Sequence, residues 1–402
     1  MPAAQSDLLE PPELGIDPYA TEIVTDPYDF HRSLRETAPI VRIGKYGVYA
    51  VGRYEGVRQI LQDYARFSSA GGVGIQDIRK PGKFRIPSRL VDADPPGHTE
   101  VRTVMTKILN PVLIRSWREL FEREAGICVE RILDMRDFDG IEHLAEHYIL
   151  TVFQQAVGVV LPRAEVLAIG EMRFNQSGPE NDLYRRAMEK AEPYLEWFDS
   201  SCERSAVLPG SIGEKIYEAE ERGEIEPGVA NSLLRTFVGG GTDSTISGLG
   251  SALNLLATHA DQWQLLQAEP ARAKNVLDEA VRYESPFQVI YRTTNEETEF
   301  EGYRIPAQSK VGLWLGASNR DPEQWPEPEK FDITRQIAGV HMGFGTGKHF
   351  CIGQMLAKLE SECLLAALAT RVKSIERTAA PVYRPMNQMR AINNLPLRVT
   401  PK

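Results

Sequence analysis

Cysteine is scarce in this chain. Its four cysteines, Cys128, Cys202, Cys351 and Cys363, stand far apart with no CxxC pair, which excludes a disulfide framework and a four-ligand zinc site. Any cysteine that matters acts singly. Long apolar runs are missing too: segments such as CLLAALA fall well short of the roughly 20 residues that span a bilayer. A basic surplus is absent, with 46 Lys and Arg against 56 Asp and Glu and a net charge of −10, so a protein that coats nucleic acid is excluded. The opening MPAAQSDLLEPPELGIDPYA lacks a basic start followed by an apolar stretch, so neither a secretory signal nor a membrane anchor is expected, and the cytoplasm is the expected compartment. No fixed-period repeat and no regular strand-helix alternation occurs, which argues against solenoids, doubly wound sheets and eight-fold barrels.

What is present reads as a globular enzyme. Hydrophobic residues make up 42% and charged residues 25% of the 402, enough to bury a large core. No low-complexity linker marks a cut, so one domain over 1–402 is expected. Apolar residues recur three and four apart in DPYDFHRSLRETA, RYEGVRQILQDY and EVRTVMTKIL, from Val112 to Leu133, and from Pro227 to His259, predicting helices. Strand-like alternation is confined to APIVRIGKYGVYAVG, to the stretch from Gln288 to Gly316, and to the NNLPLRVTP tail. The predicted fold class is mainly α with smaller β sheets. Between Phe67 and Gly97 the chain, rich in Gly and Pro, reads as one long loop, the kind that carries function in compact enzymes.

The segment HMGFGTGKHFCIGQMLAKLE sets Cys351 where a glycine-rich loop enters a helix. Unpaired N–H groups and the positive end of the helix dipole favour a thiolate there, and a thiolate can bind a metal; the ordinary alternative is a small buried apolar side chain. A phosphate-binding loop would need Gly at Met342 and Ser or Thr at His349. GGVGIQD in the long loop lacks the third Gly of a dinucleotide fingerprint.

Phe344, Gly347, Cys351 and Gly353, spaced F-x-x-G-x-x-x-C-x-G with His349 two before the cysteine, resemble the haem-thiolate loop of the cytochrome P450 family. DEAVRYESP carries Glu279 and Arg282 in that family's E-x-x-R arrangement, and FDITR offers Arg335 as their third partner. Positions three apart share a helical face, so the two can pair; alone they would read as a solvated surface bridge. DADPPGHTEVR resembles the segment whose His98 and Arg102 hold haem propionates, with Arg292 and His349 as further matching cations. The resemblance runs from about Asp26 to Pro396 and implies the prism-like P450 fold, haem b, and Cys351 as proximal ligand to the iron. Thiolate ligation favours O–O cleavage and so oxygen activation.

The helix containing LLRTFVGGGTDSTISGLG is interrupted by Gly239, Gly240 and Gly241, each costing roughly 1 kcal/mol relative to alanine, so something must approach its backbone closely. The resemblance places oxygen there, followed by an acid and an alcohol: Asp243 and Ser244, with Thr245 as an alternative hydroxyl because the family more often has Thr at position 244. Such a pair can deliver protons. Family members driven directly by hydrogen peroxide usually lack it, so the chain is expected to draw two electrons from a separate ferredoxin whose reductase uses NAD(P)H. That donor would dock on a basic face near Cys351, including Lys348, Arg115 or Arg118.

More narrowly, FSSAGGVGI, FRIPSRLVDADPP, LLRTF and ESPFQVIYRTT resemble the bacterial P450s that oxidise para-substituted benzoates, typically by O-demethylation of 4-methoxybenzoate. The resemblance implies that Arg85, Ser88 and Thr236, with Arg235 nearby, hold the substrate carboxylate, and that Val91, Phe174, Phe287, Ile290 and Gly240 surround the ring. Ser177 stands where that group has Phe and Gly239 where it has a hydroxyl residue; both changes predict a wider pocket. Arg85 as a loop cation and Ser88 as a helix cap are the ordinary readings. Two alternatives remain open: a monooxygenase for another small hydrophobic acid, and a non-catalytic haem sensor or carrier.

Overall fold

The periodic segments fold as helices. In the computed structural model, which describes residues 8–81 and 87–402, the elements that position the site are α1 (Tyr28–Thr37), α2 (Tyr54–Gln62), α3 (Gly97–Ile108), α4 (Arg118–Met135), α5 (His147–Val157), α6 (Arg163–Gln176), α7 (Val229–Thr258), α8 (Ala273–Glu284) and α9 (Gln354–Arg371). The helix predicted from Val112 to Leu133 divides in two. Asn110 caps a short helix, Pro111–Ser116, by accepting from the backbone N–H groups of Val112 and Leu113, and at Trp117 (φ −88°, ψ −2°) the chain turns before α4.

Strands form where alternation predicts them. A five-stranded sheet runs in the order β1 (Val41–Ile43), β2 (Val48–Val51), β8 (Lys310–Trp314), β5 (Val289–Thr294), β3 (Phe67–Ser68). Only the β2–β8 pairing is parallel; Tyr49 faces Val311 there, and Ile290 faces Leu313 across the antiparallel β5–β8 pair. β4 (Asp137–Asp139), β12 (Pro396–Pro401) and β9 (Val372–Arg377) make a three-stranded sheet, and two hairpins pair β6 (Thr298–Phe300) with β7 (Tyr303–Ile305) and β10 (Val382–Pro385) with β11 (Arg390–Asn394). Among its described residues the long loop keeps its predicted character apart from β3. Among the described residues no helix is long and apolar enough to cross a membrane.

The main core surrounds α7, which is buried along most of its length, including Leu233, Leu234, Leu249, Leu253 and Leu256. Packed with it are Tyr148 and Val152 of α5, Ile169 of α6, Val276 and Ala280 of α8, and Leu364 and Leu368 of α9.

Glu279 and Arg282 on α8 are 1% and 0% exposed, so the pair belongs to the interior and the surface-bridge reading fails. Arg282 donates from Nε and Nη2 to the two carboxylate oxygens of Glu279, each at 2.8 Å, and to the carbonyls of Asn319, Pro328 and Lys330. Arg335 lies 3.5 Å from Glu279 and donates to the carbonyls of Pro326 and Glu327. The backbone N–H of Asp332 completes the carboxylate's shell at 2.9 Å. These bonds tie the irregular segment 319–335 to a core helix. Removing one partner of such a network strands a buried charge, so Glu279→Ala should lower unfolding free energy by about 3–5 kcal/mol. Breaking the exposed Arg58–Glu55 pair (2.7 Å) should change it by less than about 1 kcal/mol. Urea denaturation of both variants beside the parent checks this; equal midpoints would overturn it.

Candidate active site

The cysteine loop is hung from α8. Asp278, next to Glu279, bonds His341 Nε2 at 3.0 Å and Lys358 Nζ of α9 at 2.8 Å. Because His341 Nδ1 accepts from the N–H of Gly343, its proton sits on Nε2 and is given to Asp278. Burial pushes the Asp278 carboxyl up, but the bonds from His341 and Lys358 outweigh it and hold the group below its usual range. Met342 N–H donates to Asn319 Oδ1 at 2.7 Å, and Cys351 N–H to Phe344 O at 2.9 Å. Gly347 has φ +71°, and a Cβ there would lie 2.8 Å from the carbonyl oxygen of Leu61 in α2, so no side chain fits.

Cys351 stands just before α9 with open surface on one side. Burial nevertheless pushes its thiol up, while the N–H groups of Gly353 and Gln354 and the charge of Arg102 pull it down. The helix-end effect expected from the sequence is present, but burial outweighs it. Cys128, Cys202 and Cys363 are buried, with thiols pushed up to about 11, 11 and 12 by burial. Among the described residues no group of three His, Cys, Asp or Glu could hold a metal ion.

Four basic side chains gather beside this loop. The rings of His98 (α3) and His349 lie 4.1 Å apart, and among the described residues neither nitrogen of His98 nor Nε2 of His349 has a hydrogen-bond partner. Burial, with Arg292 and His98, depresses His349 to about 3; burial, with Arg102, lowers His98. Arg292 on β5 is 2% exposed and depressed to about 10 by burial, and burial lowers Arg102 too.

On α7 the three glycines differ in what their bare backbones meet among the described residues. A Cβ on Gly239 would lie 2.2 Å from Arg173 Cδ, one on Gly241 2.7 Å from the ring of Phe153, and one on Gly240 would have no atom within 4 Å. Ser244 donates to Gly240 O at 2.8 Å and Thr245 to Gly241 O at 2.7 Å. Ser244 therefore lies on the open face and Thr245 on the face packed against Phe153. The Asp243 carboxylate turns toward α6: Oδ1 accepts from Arg384 Nη2 of β10 at 2.9 Å, while Oδ2 has no partner and sits where a Cβ on Gly170 would meet it at 2.6 Å.

Ser88 and Thr236, far apart in sequence, meet with their hydroxyl oxygens 3.0 Å apart. Arg235 is turned to Asp199 (2.7 Å) and lies 5.0 Å from the ring of Phe198. Phe174 packs edge-on to Phe287, with centroids 6.0 Å apart, beside Met386, Met389 and Ala391. Val91 and Ile290 are half-buried. Ser177 is buried, its carbonyl accepting from Ile75 N–H at 2.8 Å. The widening expected at Gly239 does not follow, because the Arg173 side chain fills that space. Arg85 lies outside the described residues. Of the cations expected to dock a donor, Lys348 and Arg115 are exposed, whereas Arg118 is held by Glu122 and Glu362 at 3.3 and 3.1 Å.

The cytochrome P450 family profile matches residues 211–375. Cytochrome P450 CYP199A2 of Rhodopseudomonas palustris is 40% identical over 393 residues, covering 97% of this chain and 95% of that protein. The chain belongs to the cytochrome P450 family. The 6-deoxyerythronolide B hydroxylase of Saccharopolyspora erythraea is 27% identical, covering 93% of this P450 and 96% of that protein. Among solved structures, CYP109Q5 from Chondromyces apiculatus superposes with a TM-score of 0.80 at 30% identity, covering 96% and 99% of the two chains. This P450 is accordingly a haem-dependent monooxygenase whose electrons come from NAD(P)H through a reductase.

The residues present fit a haem. Partnerless imidazole nitrogens on His98 and His349, beside the guanidinium cations of Arg102 and Arg292, form a group of charges and donors suited to two carboxylates, and Gly240 and Cys351 keep open surface. Sequence reading missed Asp278, His341, Lys358 and Arg384, which position the loop and the acid; His341, opening the HMGFGTG run, was the one visible hint.

The depressed histidines carry a pH dependence. With its folded pKa near 3, far below the roughly 6.5 of an unfolded histidine, His349 binds fewer protons folded than unfolded between those values. Stability of the haem-free chain should therefore fall as pH drops from about 6.5, by up to about 1.4 kcal/mol per pH unit from His349 alone. His349→Gln should flatten that slope in urea unfolding at pH 7.5 and 5.5; an unchanged slope would overturn the assignment.

Proposed function

We propose that this P450 oxidises para-substituted benzoates, above all by O-demethylation of 4-methoxybenzoate-type acids to the phenol and formaldehyde. The observation that carries the reading is the meeting of the Ser88 and Thr236 hydroxyls, 3.0 Å apart though far apart in sequence: with the apolar Phe174–Phe287 pair, such polar groups suit a ring with one carboxylate. In this reading Cys351 would supply the thiolate that holds the haem iron, the Phe344–Gly353 loop would shield it, and His98, Arg102, Arg292 and His349 would hold the propionates. Bound haem with a thiolate ligand supplies oxygen activation. Glu279, Arg282 and Arg335 keep the loop in place. The whole chain, 1–402, acts as one catalytic domain in the cytoplasm, and a ferredoxin delivers the electrons at the Lys348 and Arg115 face.

Anchoring the carboxylate at one end of a rigid ring leaves one C–H position presented for oxidation, raising its effective concentration over the others. One oxygen atom from O2 enters a methoxy C–H bond and the other leaves as water, with two electrons and two protons consumed. The hemiacetal so formed breaks into phenol and formaldehyde. Ser244, on the open face beside Gly240, holds the proton-donating hydroxyl. Asp243 draws protons from the side of α6 when its carboxylate exchanges Arg384 for solvent. A non-catalytic carrier needs no such acid and alcohol.

Two outcomes follow. Ser244→Ala should divert electrons into free hydrogen peroxide, whereas Thr245→Val should leave product per NAD(P)H close to the parent; the reverse pattern would move the role to Thr245. On the substrate side, 4-methoxybenzoate should bind the haem-loaded protein about tenfold to a hundredfold more tightly than 4-methoxybenzamide, since the amide carries no charge for the anchor. Equal dissociation constants, read from the haem absorption, would leave only the broader monooxygenase.

A further inference from the structure

The turn between β10 and β11 is fastened on two sides. On one side it follows the segment that carries Phe287: Gln288 N–H donates to Gln388 O at 2.9 Å, Arg390 N–H donates to Pro286 O at 2.8 Å, and Phe287 pairs with Met389 as an antiparallel bridge. On the other side Asn387, 3% exposed, meets the end of α6 and the connection that follows it. Its N–H donates to Asn175 Oδ1 at 3.0 Å and its Nδ2 to Asn175 O at 3.1 Å. With Asn181 it forms a reciprocal amide pair: Asn387 Nδ2 donates to Asn181 Oδ1 at 3.1 Å, and Asn181 Nδ2 donates to Asn387 Oδ1 at 2.8 Å. The bare backbone of Gly178 admits this side chain, since a Cβ there would lie 2.3 Å from Asn387 Cβ.

Main-chain groups fix which way each amide points. Asn181 Oδ1 also accepts from Tyr184 N–H at 3.1 Å as the cap of the helix Asp182–Ala191, so its Nδ2 is the end that gives to Asn387. Asn387 Nδ2 in turn faces the carbonyl of Asn175, which can only accept.

We propose that Asn387 is a positioning residue: by joining the β10–β11 turn to the end of α6, it holds Phe174 edge-on to Phe287 and so sets which position of an aromatic acid's ring is presented for oxidation. The assignment rests on the aromatic-acid reading above and deepens it. Phe174, the residue before Asn175, packs with Met386, Met389 and Ala391 in a small apolar cluster separate from the main core. Phe287 is fixed relative to the turn and Phe174 relative to α6; the Asn387 bonds tie one to the other at the level of the two rings. An anchored carboxylate holds one end of a flat ring and leaves its tilt to the walls around it. Two aromatic walls held in register therefore decide whether a para or a meta group lies nearest the reacting centre.

The test uses the full haem-loaded chain, driven by a ferredoxin and its reductase, with 3,4-dimethoxybenzoate, which carries a para and a meta methoxy group on one ring. Asn387→Asp keeps the side chain's shape but sets a carboxylate oxygen against the Asn175 carbonyl; it should raise the ratio of meta- to para-demethylated product about threefold to tenfold. Asn181→Asp keeps the helix cap but removes the donor to Asn387, and should shift the ratio in the same direction. In a Phe174→Ala background neither change should move the ratio further, because the effect passes through that ring. An unchanged haem spectrum in each variant controls for folding, and titration of the parent with 4-methoxybenzoate and 4-methoxybenzamide reads its preference for the acid. If the parent prefers the acid, yet both variants keep its product ratio or shift it as far without Phe174 as with it, the role of Asn387 is overturned while the aromatic-acid reading stands. If the parent binds acid and amide alike, the aromatic-acid reading falls and the role of Asn387 in presenting that ring falls with it.

Discussion

Arg282, fully buried on α8, uses one guanidinium to hold the Glu279 carboxylate and three backbone carbonyls between Asn319 and Lys330. Such a cation is costly to bury and costlier to leave unpaired, so segment 319–335 has one place to lie. From there the constraint passes to the cysteine. Asn319, whose carbonyl accepts from Arg282, also accepts from Met342 N–H with its side-chain oxygen. Asp278, the residue before Glu279, takes His341 on one side and Lys358 on the other. Both ends of the loop that carries Cys351 are thus fastened to one helix, which belongs to the main core.

On the other side of the site, rigidity comes from close backbone approach. Glycine in mid-helix weakens α7 by itself, yet Gly239 and Gly241 admit Arg173 and Phe153, and Gly170 of α6 admits Asp243. Packing of α5 and α6 against α7 offsets the local cost. The same packing sorts two adjacent hydroxyls: Ser244 shares the open face of Gly240, whereas Thr245 shares the face of Gly241 that Phe153 covers. It also turns the Asp243 carboxylate to Arg384 and away from its sequence neighbour.

Between these two supports lie the guanidinium groups of Arg102 and Arg292 beside two imidazoles that burial keeps from charging. Burial lowers the proton affinity of His98, His349, Arg102 and Arg292 together. A cluster of this kind stores an unmet demand for anions: its members are partly desolvated, and three of its imidazole nitrogens have no partner. Carboxylates placed among them would restore those proton affinities, which ties retention of the haem to the stability of this region of the chain.

Motifs whose members stand within about one helical turn or one loop were legible in the sequence alone. Glu279 with Arg282, the glycine-rich run into Cys351, the three glycines before Asp243, and the helical and strand periods all depend on spacing along the chain, and spacing is what a sequence records. Asn110 and Trp117, which divide a predicted helix in two, were harder to see, because a cap and a turn override a continuous apolar period. Tertiary structure alone decided the pairings between distant segments: Asp278 with His341, Asp243 with Arg384, and Arg173 with Gly239. No period connects such residues, and each partner read singly is an ordinary surface or core side chain. Whether Gly239 widens a pocket or seats an arginine, and whether position 244 or 245 faces the open side, depends on which neighbouring helix fills the groove, and that is set by packing across the core.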